Sequence, residues 1–427
     1  MHQSDSHVIG RGFRSRRGVA ALATILAMST VLAACSSSKK SSAASTGTTA
    51  AGGGHAATGD PFVVAVIADL TGPVATIEGL SATAGIQGAV DAINDAGGAA
   101  GHPMQVKTFD AQSTVEGAQN AVRQAVAAKP NAIFPATISA EVNAILPILE
   151  QAQIPTLSVP PIASKLFPKP KPYFFTVADT SNQIGEYLAQ QVTATLGGGD
   201  LSGKKVAVEG LVSANVDAFI KEMQTRITAK GAKIVSQERR PGAATTFSSQ
   251  AQNMASAKPD VVVVIDGETG GGLAVQSLKT AGYTGPIVIS SGVGTAAFFA
   301  KYGAPNISAV RVYKDVSETP EVTDTLKKYK LDTTGSFINY GWTAGYVLQT
   351  GFTGCGFPCD SPGLIKALES MKPLTPPGSP AFGTLQYTPD KHYLLNSVRF
   401  YGTSDPSKPA APVGNEIDIS QVAAPVA

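Results

Sequence analysis

No G-x-S-x-G elbow, no H-E-x-x-H pair and no G-x-x-x-x-G-K-[ST] loop occurs in this sequence. These absences remove, in turn, the serine turn of α/β hydrolases, a helical zinc pair and a triphosphate cradle. Histidine is scarce: His2, His7, His55, His102 and His392 have no spaced partners. His102 and His392 therefore read as solvated loop residues rather than bases, and no metal, cofactor or catalytic residue is expected. A secreted hydrolase would need a nucleophile paired with a base, and none stands out. An excess of charge of either sign is also missing. Without residues 1–34 the chain keeps 29 basic and 30 acidic residues, which favours neither nucleic acid nor an acidic membrane surface. The apolar run Val19–Ala34 holds Thr24, Ser29 and Thr30 and is short for a membrane span.

What is present begins with a leader. Arg11, Arg14, Arg16 and Arg17 precede that apolar run, which closes on Leu-Ala-Ala-Cys at Cys35. A basic head, a short apolar stretch and small residues before a cut make a signal peptide, residues 1–34. The Cys placed there resembles the lipobox of bacterial lipoproteins, with Cys35 as the lipidated first residue. Sec and twin-arginine export both stay open. Residues 35–60 are mostly Ser, Ala, Thr, Gly and Lys, a flexible tether. The other two cysteines, Cys355 and Cys359, flank Gly-Phe-Pro; in an exported chain they are expected to form a local disulfide, with zinc the competing use.

From Pro61 the pattern is α/β. Strand runs at 62–67, 104–109, 131–135 and 156–159 alternate with helix-period segments around Ile86, Val122 and Ile145, which means parallel βαβ units. The pattern then repeats. Ala128–Phe134 is echoed by Ala257–Val263, Gly101 by Gly231, and Pro155 by Pro286, all offset by 129 to 131 residues. Two lobes of similar topology are expected, with a ligand cleft at the carboxyl ends of their strands. A last segment offers helices at 318–330, 337–349 and 362–371 and strand-like runs at 382–387 and 397–401. Polar groups recur at successive strand ends: Thr71 and Gly72, Thr137 and Ser139, Ser213 and Asn215, Ser290 and Ser291. For each hydroxyl a helix cap is the competing role, Ser139 included. Asp266–Gly272 lacks dinucleotide-loop spacing and reads as another ligand-facing loop.

The Thr-Gly-Pro loop at Thr71–Pro73, the run Ile93–Gly101, Asp110 after the second strand and the Tyr173–Ala189 crossover together resemble the leucine/isoleucine/valine-binding proteins. These are the solute receptors of branched-chain amino acid ABC transporters, with the type I periplasmic-binding-protein fold. The resemblance implies two Rossmann-like lobes with parallel sheets joined by a three-strand hinge near Thr176, Val312 and Tyr387. It puts residues 61–176 and 313–387 in the N-terminal lobe, 177–312 and 388–410 in the C-terminal lobe, and leaves 411–427 as a tail. It also implies ligand contacts from Thr71, Gly72, Pro73 and Ile77 in the first loop, from Thr137 and Ser139, and from an aromatic wall of Phe337 and Tyr340. Several positions depart from the family. The Ala/Thr loop is replaced by Pro160, Pro161 and Ile162, which lack the N–H groups or hydroxyl needed. Val212–Asn215 stand where a tyrosine is usual, and Ser290 and Ser291 where an acidic acceptor for the ligand's ammonium is usual. Asp266 or Glu268 is the candidate replacement.

The expected protein is a monomeric, lipid-anchored extracytoplasmic receptor that passes a small polar ligand to an ABC permease and its ATPase. An amino acid of branched-chain type is the family's default cargo. Open alternatives are an amide, urea-like or carboxylate ligand without an α-ammonium, or a sensor that does not transport.

Overall fold

The computed structural model describes residues 57–420 except 74, 76–77, 160–170, 243, 291–292 and 406. Cys35, the leader, most of the tether, Ile77, Pro160, Pro161, Ile162 and Ser291 lie outside the described residues.

The run Phe-Val-Val-Ala-Val-Ile-Ala has no polar face, so it suits only a strand covered on both sides. It forms β1 (Phe62–Ala68), nearly all buried. There follow α1 (Gly79–Asp95), β2 (Met104–Asp110), α2 (Val115–Ala127), β3 (Ala132–Ala136), α3 (Ser139–Ala152), β4 (Thr156–Ser158) and β5 (Phe174–Thr176). The sheet order is β2-β1-β3-β4-β5, all parallel. The second half repeats this plan with α4 (Ser181–Thr195), β6 (Lys205–Leu211), α5 (Ala214–Ala229), β7 (Lys233–Arg240), α6 (Ser248–Ser256), β8 (Val261–Ile265), α7 (Glu268–Thr280), β9 (Ile287–Ile289), α8 (Ala296–Tyr302) and β10 (Ile307–Arg311). Its parallel part runs β7-β6-β8-β9-β10, the same order as the first sheet. The duplication extends to the backbone. Lys129 and Lys258, both before a proline, adopt left-handed φ values of 49° and 50°.

The last segment serves both sheets. After a 3-10 turn at Val316–Glu318 come α9 (Pro320–Lys328), α10 (Ile338–Cys355), α11 (Ser361–Glu369), β11 (Ser397–Gly402) and β12 (Ala411–Asp418). Helix α10 lies on α1 so closely that a Cβ at Gly341 would sit 2.0 Å from the Ala82 carbonyl oxygen. Strands β11 and β12 extend the second sheet antiparallel beyond β10, so Ala411–Asp418, within the expected tail, is an edge strand. The run 382–387 is not a strand. Gly383 turns to a φ of 65°, and only the isolated pairing Leu374–Leu385 remains there, beside Tyr313–Ala381. His392 is also not solvated: it is fully buried, stacked on Phe175 at 4.0 Å, with its ring nitrogens at the Phe174 carbonyl and the Glu369 carboxylate. Stacking on Phe175 and the polar partners, which include the Lys171 carbonyl, give it a packing role. The disulfide Cys355–Cys359 closes the end of α10.

Three segments pass between the sheets, and they are tied together. The Tyr313 hydroxyl donates to the Val177 carbonyl at 2.7 Å and the Tyr387 hydroxyl to the Thr176 carbonyl at 3.0 Å. The Leu394 amide also donates to Thr176 O, at 3.1 Å. All of these residues are buried. A buried acceptor stripped of its donor costs about 1–3 kcal/mol. Tyr313→Phe should therefore lower the urea unfolding free energy by that amount. Tyr387→Phe should cost less, because Thr176 O keeps the Leu394 amide. Equal, negligible effects from both would disprove the assigned roles.

Candidate functional site

Strands of a doubly wound sheet aim their carboxyl ends at one edge, and that edge carries the polar residues of both lobes. In the first lobe the chain leaves β1 at Asp69 and turns through Leu70–Pro73. Asp110 fixes this turn: its Oδ1 accepts from the Leu70 amide at 3.0 Å and the Gln112 amide at 2.8 Å, and its Oδ2 from the Thr71 hydroxyl at 2.6 Å. Partial burial opposes ionisation of Asp110, but these donors prevail and hold its carboxyl below the usual range. The Thr71 hydroxyl is thus directed at the protein. Gly72 has a φ of 91°, and a Cβ there would lie 2.7 Å from that of Ser113. No other residue fits that turn without displacing its neighbour. Pro73 is exposed at its tip.

Behind the turn sits a buried group of acids. Asp69, Glu78 and Glu141 are each at most 5% exposed. Asp69 accepts from the Ser113 amide at 2.7 Å and from the Thr137 hydroxyl at 2.5 Å. The same hydroxyl oxygen touches Glu141. One hydroxyl proton cannot serve two carboxylates, so this geometry is satisfied when Glu141 carries a proton of its own. Burial first, then the charge of Asp69, push Glu141 up to about 7 against the opposing Thr137 contact. Burial also raises Glu78 well above the carboxylate range, with Asp69 and Glu141 adding to it.

The third-strand ends of the two lobes correspond. Thr137 follows β3 and Asp266 follows β8, and two residues later Ser139 and Glu268 open α3 and α7. Neither helix has a side-chain cap: the cap positions are Ile138 and Gly267. Ser139 is therefore not the cap its sequence position suggested. Ser213, by contrast, is one, accepting from the Val216 amide at 3.2 Å at the start of α5, with Asn215 buried in that first turn. Asp266 is taken up by Arg240, whose Nε and Nη2 reach its two oxygens at 2.6 and 2.7 Å. Glu209 lies beside this pair, fully buried, with Arg240 Nε 4.0 Å away and, among the described residues, no hydrogen bond to either oxygen. Burial, reinforced by Asp266, pushes Glu209 up to about 9. Glu268 keeps a half-buried carboxylate; burial raises its pKa, against a 3.3 Å contact from the Thr295 hydroxyl.

Thr295 also lines a solvent-open pocket beside the passing segments, with an empty volume of about 410 Å³. Its walls include Arg311, Tyr313, Asp315, Phe337 and Tyr340. The Tyr313 and Tyr340 rings lie 4.2 Å apart and Phe337 and Tyr340 4.9 Å, so three aromatic rings line one side of this pocket. Arg311 is engaged by the Gly294 carbonyl and Glu318, and its guanidinium lies 4.0 Å over Tyr401. Sequence reasoning missed Glu78, Glu141, Tyr313 and Arg240. The signals were present: Asp69 and Glu78 bracket the Thr-Gly-Pro loop, and Glu141 lies two residues after Ser139.

The raised acids set a pH dependence. An acid with a folded pKa above its unfolded value, about 4.3 for Glu, holds a proton that the unfolded chain releases. Its stabilising effect is complete below that value and is lost as pH rises through the folded pKa. Urea midpoints should accordingly fall between pH 5.5 and 8.5, and Glu209→Gln should flatten the upper part of that fall. A midpoint that rises across this window would contradict the assignments.

No curated protein matches this sequence. Solved structures do. An ABC transporter substrate-binding protein from Sphaerobacter thermophilus is similar with a TM-score of 0.71 at 19% identity, over 85% of this chain and 99% of that one. A solute-binding protein of an ABC transporter from Rhodopseudomonas palustris, in complex with 3,4-dihydroxybenzoic acid, gives 0.70 at 19% identity over 85% and 98%. A branched-chain amino acid transporter substrate-binding protein from Streptococcus pneumoniae, in complex with isoleucine, gives 0.68 at 20% identity over 83% and 99%. These similarities carry the fold, two lobes of parallel-dominated sheet. The periplasmic binding protein family itself matches residues 61–405, and with that span and this architecture the chain belongs to the periplasmic binding proteins.

Proposed function

We propose that this protein is the lipid-anchored, extracytoplasmic receptor of an ABC transporter, monomeric, with an amino acid as its ligand. Membership of the periplasmic binding proteins supports the location and the transporter partner. Among the described residues no helix is long and apolar enough to cross a membrane, which agrees with attachment through Cys35. The observation that carries the ligand reading is the correspondence of Ser139 and Glu268. Each is the first residue of a helix without a side-chain cap, at the carboxyl edge of its own sheet.

The N-terminal end of α3, with the Ser139 hydroxyl on its first residue, suits a carboxylate. Glu268 suits the ammonium, and its raised pKa is the cost of a half-buried charge that a cation relieves. Phe337, Tyr340 and Tyr313 supply the surface for the side chain. Asp266 cannot take the ammonium role without breaking its pair with Arg240. Closure about the three passing segments then brings Glu268 toward Ser139, driven by the ligand's stronger binding to the closed form. A ligand without an ammonium is the second reading, favoured by the engagement of Asp266.

A thermal-shift screen of amino acids beside matched amides and carboxylates separates the two. A ligand at 100 times its Kd stabilises the fold by about 2.7 kcal/mol. Amino acids should raise the melting temperature, and Glu268→Gln should abolish their effect, since losing a buried charge partner costs about 2–5 kcal/mol. A response confined to ammonium-free compounds, unchanged by Glu268→Gln, would establish the second reading instead.

A further inference from the structure

Counting from matched rungs of the two sheets gives a direct comparison of the lobes. The pairs Ala68–Asp110 and Gly210–Arg239 correspond, so Arg240 of the second lobe stands where the first lobe has Ala111. Both positions are buried at the carboxyl edge. In the second lobe the acids Glu209 and Asp266 thus have a guanidinium built in beside them. The first lobe has three buried acids, Asp69, Glu78 and Glu141, and the matching position is a methyl group. Among the described residues no lysine or arginine acts electrostatically on Glu78 or Glu141, where the acting groups are the other acids and Thr137. Among the described residues the Glu78 Oε1 atom has no hydrogen-bond partner, although the residue is only 5% exposed.

This group is joined to the aromatic wall of the pocket through α1 and α10. Glu78 is the cap residue of α1, and a Cβ at Gly79 would fall 2.2 Å from the Asp69 carbonyl oxygen, so the helix begins on Asp69 itself. The first turn of α10 presses on α1 through Gly341, next to Tyr340, and Tyr340 lines the pocket. The charge of Glu78 is felt at the Tyr340 hydroxyl. A ligand carboxylate held at Ser139 would lie within one helical turn of Glu141, a carboxyl that gives up its proton more readily where a cation offsets the acids.

We propose that Asp69, Glu78 and Glu141 form a cation-recognition site of the first lobe, and that the ligand is a small organic cation with an ammonium or guanidinium group seated there. This rests on the receptor reading above and narrows it from amino acids in general to basic amino acids and related amines. The ligand's cationic group takes the place that Arg240 fills in the second lobe, while Glu268 remains free for an α-ammonium.

The test uses the purified full-length protein, with Glu78→Gln and Glu141→Gln variants. Lysine, ornithine, arginine and agmatine are compared with citrulline, leucine and valine, and with NaCl and KCl alone, by thermal shift and calorimetric titration. At least one cationic compound should bind, and binding should weaken at least ~10-fold in each variant. Glu78→Gln without ligand should melt no lower than the parent, since it replaces a buried carboxyl that already has an unpartnered oxygen. A protein that binds leucine or valine but no cationic compound overturns this inference and leaves the receptor reading intact. A Glu78-dependent response to NaCl or KCl alone assigns the acids to an inorganic ion and also overturns it. If no compound of either class binds, both readings fail.

Discussion

The fold depends on a constraint of backbone chemistry at the passage between the two sheets. Three buried segments run there side by side, and each carries peptide groups that need partners. The protein meets this need with Tyr313 and Tyr387, which reach across to the carbonyls of Val177 and Thr176. These hydroxyls link parts of the chain more than a hundred residues apart. They also place Tyr313 beside Tyr340, so the contacts that join the lobes form one wall of the pocket.

The two lobes share a plan and differ in charge at its edge. In the second lobe Arg240 satisfies Asp266 through two hydrogen bonds and lies near Glu209. Among the described residues the first lobe gathers its acids around Thr137 without such a partner. Buried carboxyls in these circumstances must share protons or meet a cation from outside. A lobe with its own internal cation and a lobe without one can together enclose a ligand asymmetrically. In the proposed reading this asymmetry sets the direction in which a zwitterion or a diamine lies in the cleft.

Much of the architecture was legible because it follows from local pattern. β-branched runs without a polar face marked β1 and β8, helical spacing marked α1 to α3, and echoes at one offset marked the repeat. The disulfide followed from two cysteines four apart in an exported chain. What escaped depended on partners distant in sequence. The pairing of Asp266 with Arg240 joins the ends of two different strands, and no local pattern announces it. His392 looked like a loop residue because its loop is buried by α11 and β5, which no nearby residue reveals. The strand at 411–418 was missed for a different reason: it is an exposed edge with little apolar patterning.

The central claim is that the two lobes close on a ligand held between Ser139 and Glu268. Small-angle scattering of the protein with and without a saturating ligand tests it most directly. The account predicts a smaller radius of gyration with ligand, and no such change for Glu268→Gln at the same concentration. A ligand that binds tightly and leaves the scattering curve unchanged would contradict closure and place the binding site elsewhere on the molecule.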